Sequence, residues 1–145
     1  MYSLKTIDTS AELLSSVSEP VRKGTDLREE IAELKRLMTL WGGIGFAAPQ
    51  AGLLQRFFVM KPKKKFRVCI NPTIIHRSGT TIGYEGCLSI RRTECPIERS
   101  KVISVRYYNQ DWKLVTKTLK GIEAICFQHE LDHLDGILIT ERDIR

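Results

Sequence analysis

Apolar residues recur at helical spacing over the first third of the chain and predict two helices there. The first is short and spans residues 8–17. The second is stronger, because Asp26 followed three residues later by Glu29 has the pattern of an N-terminal cap with a reciprocal acidic partner. Gly42 and Gly43 predict where this helix ends. Its apolar stripe comprises Leu27, Ile31, Leu34, Leu37, Met38 and Trp41.

From residue 56 onward the pattern changes to short runs rich in β-branched and aromatic residues, which predict strands. The runs are RFFVM, FRVCIN, KVISVRYYN and WKLVTKTL. Gln110 and Asp111 separate the last two, and this spacing predicts an antiparallel hairpin. The basic segment KPKKK, residues 61–65, lies between two of the runs, and we interpret it as a solvated turn.

Residues 122–134 predict a third helix, because apolar and histidine side chains form one stripe along it. Gly136 supplies the stop signal after this helix. We find no internal repeat or linker, so we expect a single domain over residues 1–145. The stripe contains Ile122, Ile125, His129 and His133.

The composition is that of an ordinary globular protein. The 145 residues are 42% hydrophobic and 28% charged, which argues against intrinsic disorder. No apolar run is long enough to cross a bilayer, and the first residues lack the pattern of a secretory signal, so we expect a cytoplasmic protein that does not bind membranes. Four cysteines without a CxxC pair are expected to be reduced thiols. The formal charge of +6 either favours an anionic partner or keeps the protein soluble.

The sharpest motif lies in the third predicted helix, where His129, Glu130 and His133 form the pattern HExxH. Two histidines four residues apart stand on one helix face, the arrangement that two imidazoles need to share a metal ion. Glu130 lies about 100° around the helix from His129 and can reach a metal-bound water without being a ligand. An amphipathic helix with two surface histidines is the simpler alternative. However, the chain has only three histidines, and chance rarely places two of them in this pattern.

Two histidines leave a catalytic metal site one protein ligand short. The candidates for the third ligand are Cys87, His76 and a distant carboxylate, and the sequence pattern alone does not distinguish them. Cys87 lies in the segment EGCLS, where small and polar residues interrupt a predicted strand. If this segment is extended, Glu85, Cys87 and Ser89 share one face. Most free cysteines are small core residues, an alternative that suits Cys69 better.

A third segment, GIGFAAPQ over residues 43–50, directly follows the second helix. Its alternating glycines let a backbone pass close to a ligand, and Gln50 can donate its amide hydrogens to a carbonyl oxygen. Glycine-rich turns after helices are common, so this segment alone is a weak signal of function.

Together, GIGFAAPQ, EGCLS and QHELDH resemble, in order and approximate spacing, the three signature motifs of peptide deformylases. Members of this family remove the formyl group from the N-terminal methionine of new polypeptides in bacteria and organelles. The resemblance covers residues 43–136. We expect an α+β fold in which antiparallel and mixed β-strands surround a central metal-binding helix, with N-terminal helices. Because the chain ends nine residues after Gly136, it is also similar to the short deformylases, without a further C-terminal helix, that some bacteriophages encode.

By this resemblance, the implied metal ligands are Cys87, His129 and His133, with water in the fourth position, and Glu130 is the implied general acid and base. Glu130 would take a proton from the metal-bound water, which attacks the formyl carbon, and later return it to the departing amine. A thiolate ligand makes the site softer than an all-imidazole one, which fits Fe(II), the usual metal of the family. Zinc, nickel or cobalt could also occupy it.

The other two motifs supply the remaining implied site residues. Gln50, through its side-chain amide, and Leu88, through its backbone N–H, would hold the oxyanion together with the metal, and Gly45 belongs to the same catalytic group. Glu85 and Arg99 fall where the family has a structural ion pair. The implied substrate-binding residues are Ile44, Gly45, Gly86 and Ile125.

The sequence departs from the family after EGCLS, where the usual proline is absent and Ile90 is followed by Arg91 and Arg92. The path of the next segment is therefore open. Arg91 or Arg92 could replace a basic residue near the substrate entrance, where this chain has Glu94.

The implied partners are N-formyl-methionyl nascent peptides. Association with the ribosome would be electrostatic, and we expect a monomer with no specific DNA binding. Two other functions stay open: a small zinc peptidase, which leaves Cys87 and residues 43–50 unexplained, and a basic nucleic-acid-binding module, which leaves all three motifs unexplained. The candidate groups for ribosome contact are Lys61, Lys63, Lys64 and Lys65.

Overall fold

The computed structural model describes residues 2–145, which form an α+β fold around one five-stranded antiparallel sheet, as expected. A single parallel bridge, between Glu19 and Gln55, lies outside the named strands. The sheet order follows the chain order. The elements are α1 (Ile7–Leu14), α2 (Arg28–Leu40), β1 (Gly45–Ala47), a 3₁₀ helix (Ala48–Ala51), β2 (Phe57–Met60), β3 (Arg67–Cys87), β4 (Ile90–Tyr108), β5 (Leu114–Lys120), α3 (Gly121–Leu134) and α4 (Ile139–Arg142).

The sheet lies between α2 and α3, and strand β2 shows this most clearly. All four of its residues are buried. Phe57 and Val59 pack in the cluster that contains α2, whereas Phe58 and Met60 pack in the cluster that contains α3. A strand covered on both faces has no polar alternation, which is why RFFVM is a continuous apolar run. Phe127 of α3 meets Phe58 edge-on, with ring centroids 5.2 Å apart, so α3 is held firmly against the sheet.

Helix α1 is shorter than predicted. It spans Ile7–Leu14 rather than residues 8–17, and Val17 is exposed. The backbone N–H of Ser18 donates to the carbonyl oxygen of Leu134 at the end of α3. This contact with a distant part of the chain draws the backbone out of the helix, and helical spacing carries no information about it.

Helix α2 differs from the prediction at its start, whereas Gly42, with a φ of 70°, follows the capping residue Trp41 as the predicted stop. It begins at Arg28, and Asp26 accepts hydrogen bonds from the backbone and guanidinium of Arg28 rather than pairing reciprocally with Glu29. The helix ends at Leu40, and Trp41 beyond it is 38% exposed. The other five residues of the predicted stripe are buried, as expected.

Strands β3 and β4 form a hairpin much longer than the predicted short runs. They contain 21 and 19 residues and pair antiparallel from Ile70 opposite Tyr108 to Cys87 opposite Ile90. Residues 75–80 of β3 are all exposed. Because this part of β3 buries neither of its faces fully, its side chains do not alternate and its sequence contains no strand signal.

The EGCLS segment ends this hairpin instead of being extended throughout. Strand β3 ends at Cys87, and Leu88 and Ser89 form the turn into β4. The path left open by the missing proline is now defined. Residues 91–93 form an irregularity at the start of β4, between the pairs Cys87–Ile90 and Gly86–Glu94, and Arg92 has a φ of 58°.

The remaining element predictions are confirmed. The runs KVISVRYYN and WKLVTKTL lie in β4 and β5, which pair antiparallel, and residues 61–65 form a turn. Helix α3 begins one residue before the predicted start, and Gly136 follows it with a φ of 70°. Over residues 2–145, we find no helix with the length and apolar character needed to cross a membrane.

Gly136 lets α3 end where the chain passes close to α1. A Cβ at Gly136 would lie 2.6 Å from the carbonyl of Ser15, whereas Gly24, with a φ of 89°, has open space around it.

We expect Gly24→Ala to cost about 1–2 kcal/mol for its left-handed backbone alone. Gly136→Ala should cost about 1–3 kcal/mol more, because a backbone atom must move. Urea unfolding measures both free energies, and equal losses would contradict the steric argument.

Candidate active site

Helix α3 presents its two histidines to the closed end of the β3–β4 hairpin. The rings of His129 and His133 have centroids 5.3 Å apart. Cys87, the last residue of β3, places its Sγ 3.3 Å from Nε2 of His133. One ligand atom from each of these three residues lies within 4.8 Å of the other two. His76, the other histidine candidate, is exposed on β3 and is not part of this cluster.

Glu85, two residues before Cys87 on β3, orients the ring of His129. Nδ1 of His129 lies 2.9 Å from Glu85 Oε1, so we assign a proton to Nδ1, and Nε2 is the atom available to a metal ion. Burial lowers the pKa of His129, but hydrogen bonds with Cys87 and Glu85 raise it well above its usual range. Arg99 donates to both oxygens of Glu85 from β4, at 2.9 Å each, and the expected ion pair is confirmed. Burial by itself raises the pKa of Glu85, but hydrogen bonds from Arg99 and His129 lower it to about 2.

Asp132, also in α3, is a buried residue near the site to which the sequence analysis assigned no role. Its Oδ2 accepts a hydrogen bond from Nη1 of Arg99 at 2.6 Å, and its Oδ1 accepts one from Nη2 of Arg142 at 2.9 Å. A signal was available, since an acidic residue inside HELDH on the buried part of a helix requires a cationic partner. The identity of that partner depends on the tertiary fold.

The thiol of Cys87 differs from an ordinary core cysteine. Burial raises its pKa, but the adjacent His133 and His129 outweigh burial and lower the pKa to about 5. Cys69, by contrast, is fully buried, and burial raises the pKa of its thiol far above the usual range. Cys87 is therefore a thiolate at neutral pH, the form that binds metal ions.

The carboxyl group of Glu130 is buried beside the two histidines. Burial raises its pKa, and the nearby His129 and His133 offset this only in part. Its Oε1 is buried and has no hydrogen-bond partner among the described residues. A Cβ at Gly45 would overlap Oε2 of Glu130, so only glycine allows the backbone of β1 to come this close.

Gln50 reaches the cluster from the 3₁₀ helix after β1. Its Oε1 accepts the backbone N–H of Ala47 at 3.0 Å, which turns the Nε2 group toward Ser89 Oγ at 3.2 Å and Cys87 Sγ at 3.9 Å. The hydroxyl of Ser89 donates in turn to the carbonyl oxygen of Lys5 at 2.7 Å. Ser89 is thus a second site residue whose role the sequence did not indicate, because its partner lies 84 residues away.

These residues surround one cavity of about 1010 Å³ between the hairpin, α3 and residues 42–45. Nine of the ten residues predicted for the site line it, and the tenth, His133, is buried next to Cys87. Arg92 and Glu94 also line the cavity, at the start of β4, whereas Arg91 stacks over Trp41. The nine lining residues are Ile44, Gly45, Gln50, Gly86, Cys87, Leu88, Ile125, His129 and Glu130.

The donor atoms fit a divalent transition-metal ion. One thiolate sulfur and two imidazole nitrogens are ligands that zinc and iron accept, and three protein ligands leave a further coordination position. The unpartnered Oε1 of Glu130 beside them is costly unless a bound group supplies its hydrogen bond.

Both the sequence and the architecture of this chain are similar to those of known proteins. The family profile described as polypeptide deformylase matches residues 4–144. A peptide deformylase from Thermotoga neapolitana is 42% identical over 132 residues, which cover 90% of this chain and 80% of the relative. The chain belongs to the peptide deformylase family. The resemblance drawn from the three motifs is therefore confirmed, and the match extends well beyond residues 43–136 on the N-terminal side.

Solved structures of peptide deformylases share the whole architecture. The crystal structure of the enzyme from Thermotoga maritima aligns with 100% of this chain and 99% of its own, with a TM-score of 0.94 and 38% identity. The enzyme from Synechococcus elongatus, solved in complex with actinonin, aligns with 99% of this chain and 79% of its own, with a TM-score of 0.93 and 30% identity.

Membership in the family sets the enzyme class. Peptide deformylases are metal-dependent hydrolases that act on N-formylmethionyl peptides, and this chain is a hydrolase of that kind. Neither a general zinc peptidase nor a nucleic-acid-binding module explains the match. A bacteriophage source stays a prediction.

In the metal-free deformylase, Cys87 should react with iodoacetamide at neutral pH, whereas Cys69 should not. Because the pKa of Cys87 is lowered to about 5, the thiolate predominates above that pH, and the rate should fall only as the pH drops through it. Mass spectrometry of the alkylated peptides measures each rate. Cys69, which is fully buried, is the internal control. A Cys87 rate that keeps rising tenfold per pH unit up to about pH 8 would contradict the lowered pKa, since an ordinary thiol behaves that way.

Proposed function

We propose that Cys87, His129 and His133 hold one divalent metal ion, and that the N-formyl group of formylmethionyl peptides is hydrolysed beside it. The observation that carries this proposal is the grouping of three ligand atoms within 4.8 Å of one another, next to the buried carboxyl of Glu130. We propose Fe(II) as the native ion, because a thiolate softens the donor set, while zinc, nickel and cobalt accept the same donors. When bound, the ion supplies Lewis acidity that lowers the pKa of water and polarises the formyl carbonyl.

Glu130 transfers the protons in the proposed reaction. Its raised pKa suits a group that must both accept and return a proton. Glu130 takes a proton from the attacking water, whose oxygen adds to the formyl carbon. The C–N bond then breaks, and Glu130 gives the proton to the departing amine. The products are formate and a peptide with a free N-terminal methionine.

Gln50 and Leu88 stabilise the oxyanion in this proposal. The hydrogen bond from Ala47 already fixes the Gln50 amide with its NH₂ group toward Cys87, so no reorientation is needed when negative charge develops. Leu88, in the turn after Cys87, contributes its backbone N–H. Such preorganised donors each contribute about 10²–10³-fold to the rate in other enzymes.

The substrate occupies the cavity that these groups share. Ile44, Gly45 and Gly86 form the groove for the peptide backbone, with Gly45 close enough to Glu130 to bring the formyl group beside it. Ile125, one helical turn before His129, forms part of the wall around the methionine side chain.

Replacing Glu130 by Gln tests the proposed mechanism. The variant keeps the shape of the side chain but cannot take a proton, so formate release from formyl-Met-Ala-Ser should slow by about 10²-fold or more. Metal content, measured on the same anaerobic preparation, should stay near that of the unmodified enzyme.

Two cysteine variants provide the matched control. Cys87→Ala should lose most of the bound metal and its activity, whereas Cys69→Ala, which changes a core thiol, should keep both. Normal turnover by Glu130→Gln would refute the proton-transfer role, and equal metal content in the two cysteine variants would remove Cys87 from the ligand set. Cleavage of internal peptide bonds by the unmodified enzyme would instead favour a peptidase.

We also propose that ribosome association is electrostatic and involves the turn at residues 61–65. Lys64 and Lys65 are exposed there without an ion-pair partner among the described residues, whereas Lys63 pairs with Glu123 at 3.1 Å. Co-sedimentation with ribosomes should fall steeply between about 50 and 200 mM salt, while turnover of short formyl peptides changes little. Salt-resistant co-sedimentation would show that a specific docking surface exists.

A further inference from the structure

A chain of charged side chains connects the proposed metal ligands to helix α4. It begins at His129 and continues through Glu85, Arg99 and Asp132 to Arg142, with contacts between 2.6 and 3.1 Å. Acidic and basic groups alternate along it. We propose that Arg142, which lies outside all three motifs, is a positioning residue for the metal ligand His129. This inference rests on the proposed ligand set.

Arg142 holds the far end of the chain with both arms of its guanidinium. Its Nη2 donates to Oδ1 of Asp132 at 2.9 Å and its Nε donates to Oδ2 at 3.1 Å. Among the described residues, Arg142 supplies the only hydrogen bond to Oδ1, whereas Oδ2 also accepts one from Arg99. Asp132 is buried, and Arg142 supplies two of the three side-chain hydrogen bonds that its carboxylate accepts among the described residues.

Arg99 connects the carboxylate that Arg142 binds to the carboxylate that orients His129. Its guanidinium is divided between two carboxylates, with Nη1 on Asp132 and with Nε and Nη2 on Glu85. If Arg142 is removed, the buried Asp132 has Arg99 as its sole partner and attracts it more strongly. Arg99 then binds Glu85 less well, and Glu85 holds the His129 ring less firmly. An imidazole that is poorly oriented by its partner is a weaker metal ligand.

Helix α4 holds Arg142 in place for this role. Leu138 and Ile139 at its start are buried in a cluster with Leu14 and Ile97, and the backbone N–H of Leu138 donates to Glu141 at 3.0 Å. The guanidinium therefore approaches Asp132 from a fixed backbone. A lysine there keeps the charge but offers one ammonium instead of a planar fork.

The test is the affinity of the complete chain for Co(II), measured by competition with a chelator and followed through the thiolate-to-metal absorbance. Arg142→Gln should weaken binding by roughly 3- to 10-fold, less than the 10–100-fold typical of a direct partner of a ligand. Formate release should fall at limiting Co(II) and recover when Co(II) is saturating. Arg145→Gln is the matched control, because Arg145 pairs with Asp143 at 2.8 Å and not with Asp132, and its affinity should not change.

The outcomes separate positioning from general support of the fold. The proposal would be overturned if Arg142→Gln kept its Co(II) affinity, whether or not the melting temperature of the metal-free protein fell. It would also be overturned if Arg145→Gln lost as much Co(II) affinity as Arg142→Gln. If Arg142→Gln does not fold, Arg142→Lys is the variant to measure. We expect it to bind Co(II) about threefold more weakly, because lysine lacks the planar guanidinium. Unchanged Co(II) binding by Arg142→Lys would overturn the proposal. Failure of the ligand set itself is distinguishable, because Cys87→Ala would then bind Co(II) as tightly as the unmodified chain.

Discussion

The buried carboxylate of Glu85 connects the sheet to the helix that carries both histidines. It accepts two hydrogen bonds from Arg99 on β4 and one from His129 on α3. Burying an ion pair costs desolvation energy that can exceed its attraction, so the pair is weak evidence for stability. Its contribution to geometry is large, because the ring of His129 has one orientation while Glu85 is charged and paired. Because Cys87 lies on the same strand as Glu85, the contact between Glu85 and His129 also sets the distance between Cys87 and the histidines.

Apolar packing makes this arrangement rigid. Helix α3 is pressed against the sheet by Phe127 and Phe58, and α2 covers the opposite face of the same strands. Small movements of a helix packed in this way require many contacts to break at once. Packing of this kind therefore holds the three possible ligand atoms, which come from two elements, within 4.8 Å of one another.

The features that sequence predicts well are local ones. HExxH lies within one helix, so the helical repeat alone places His129 and His133 on a common face. The choice of Cys87 over His76 required the resemblance to the family, because strand alternation does not say which strand meets α3. Ser89 was not predicted because its hydrogen-bond partner lies 84 residues away. Arg142 was not predicted because only the turn between α3 and α4 brings it to Asp132, ten residues earlier in the chain. The length of the β3–β4 hairpin was not predicted, because residues 75–80 of β3 are exposed and their sequence shows no apolar alternation.

The thiol of Cys87 and the carboxyl of Glu130 line the same cavity, but their pKa values shift in opposite directions. The difference comes from how closely each group contacts the histidines. Burial opposes ionisation of both Cys87 and Glu130, and His129 and His133 favour it in both. Cys87 lies 3.3 Å from His133, in direct contact, so the histidines prevail and the thiol ionises. Glu130 has no donor at Oε1 and is enclosed by the backbone at Gly45, so burial prevails and its carboxyl holds a proton more readily. One group is thereby suited to binding a cation and the other to exchanging protons.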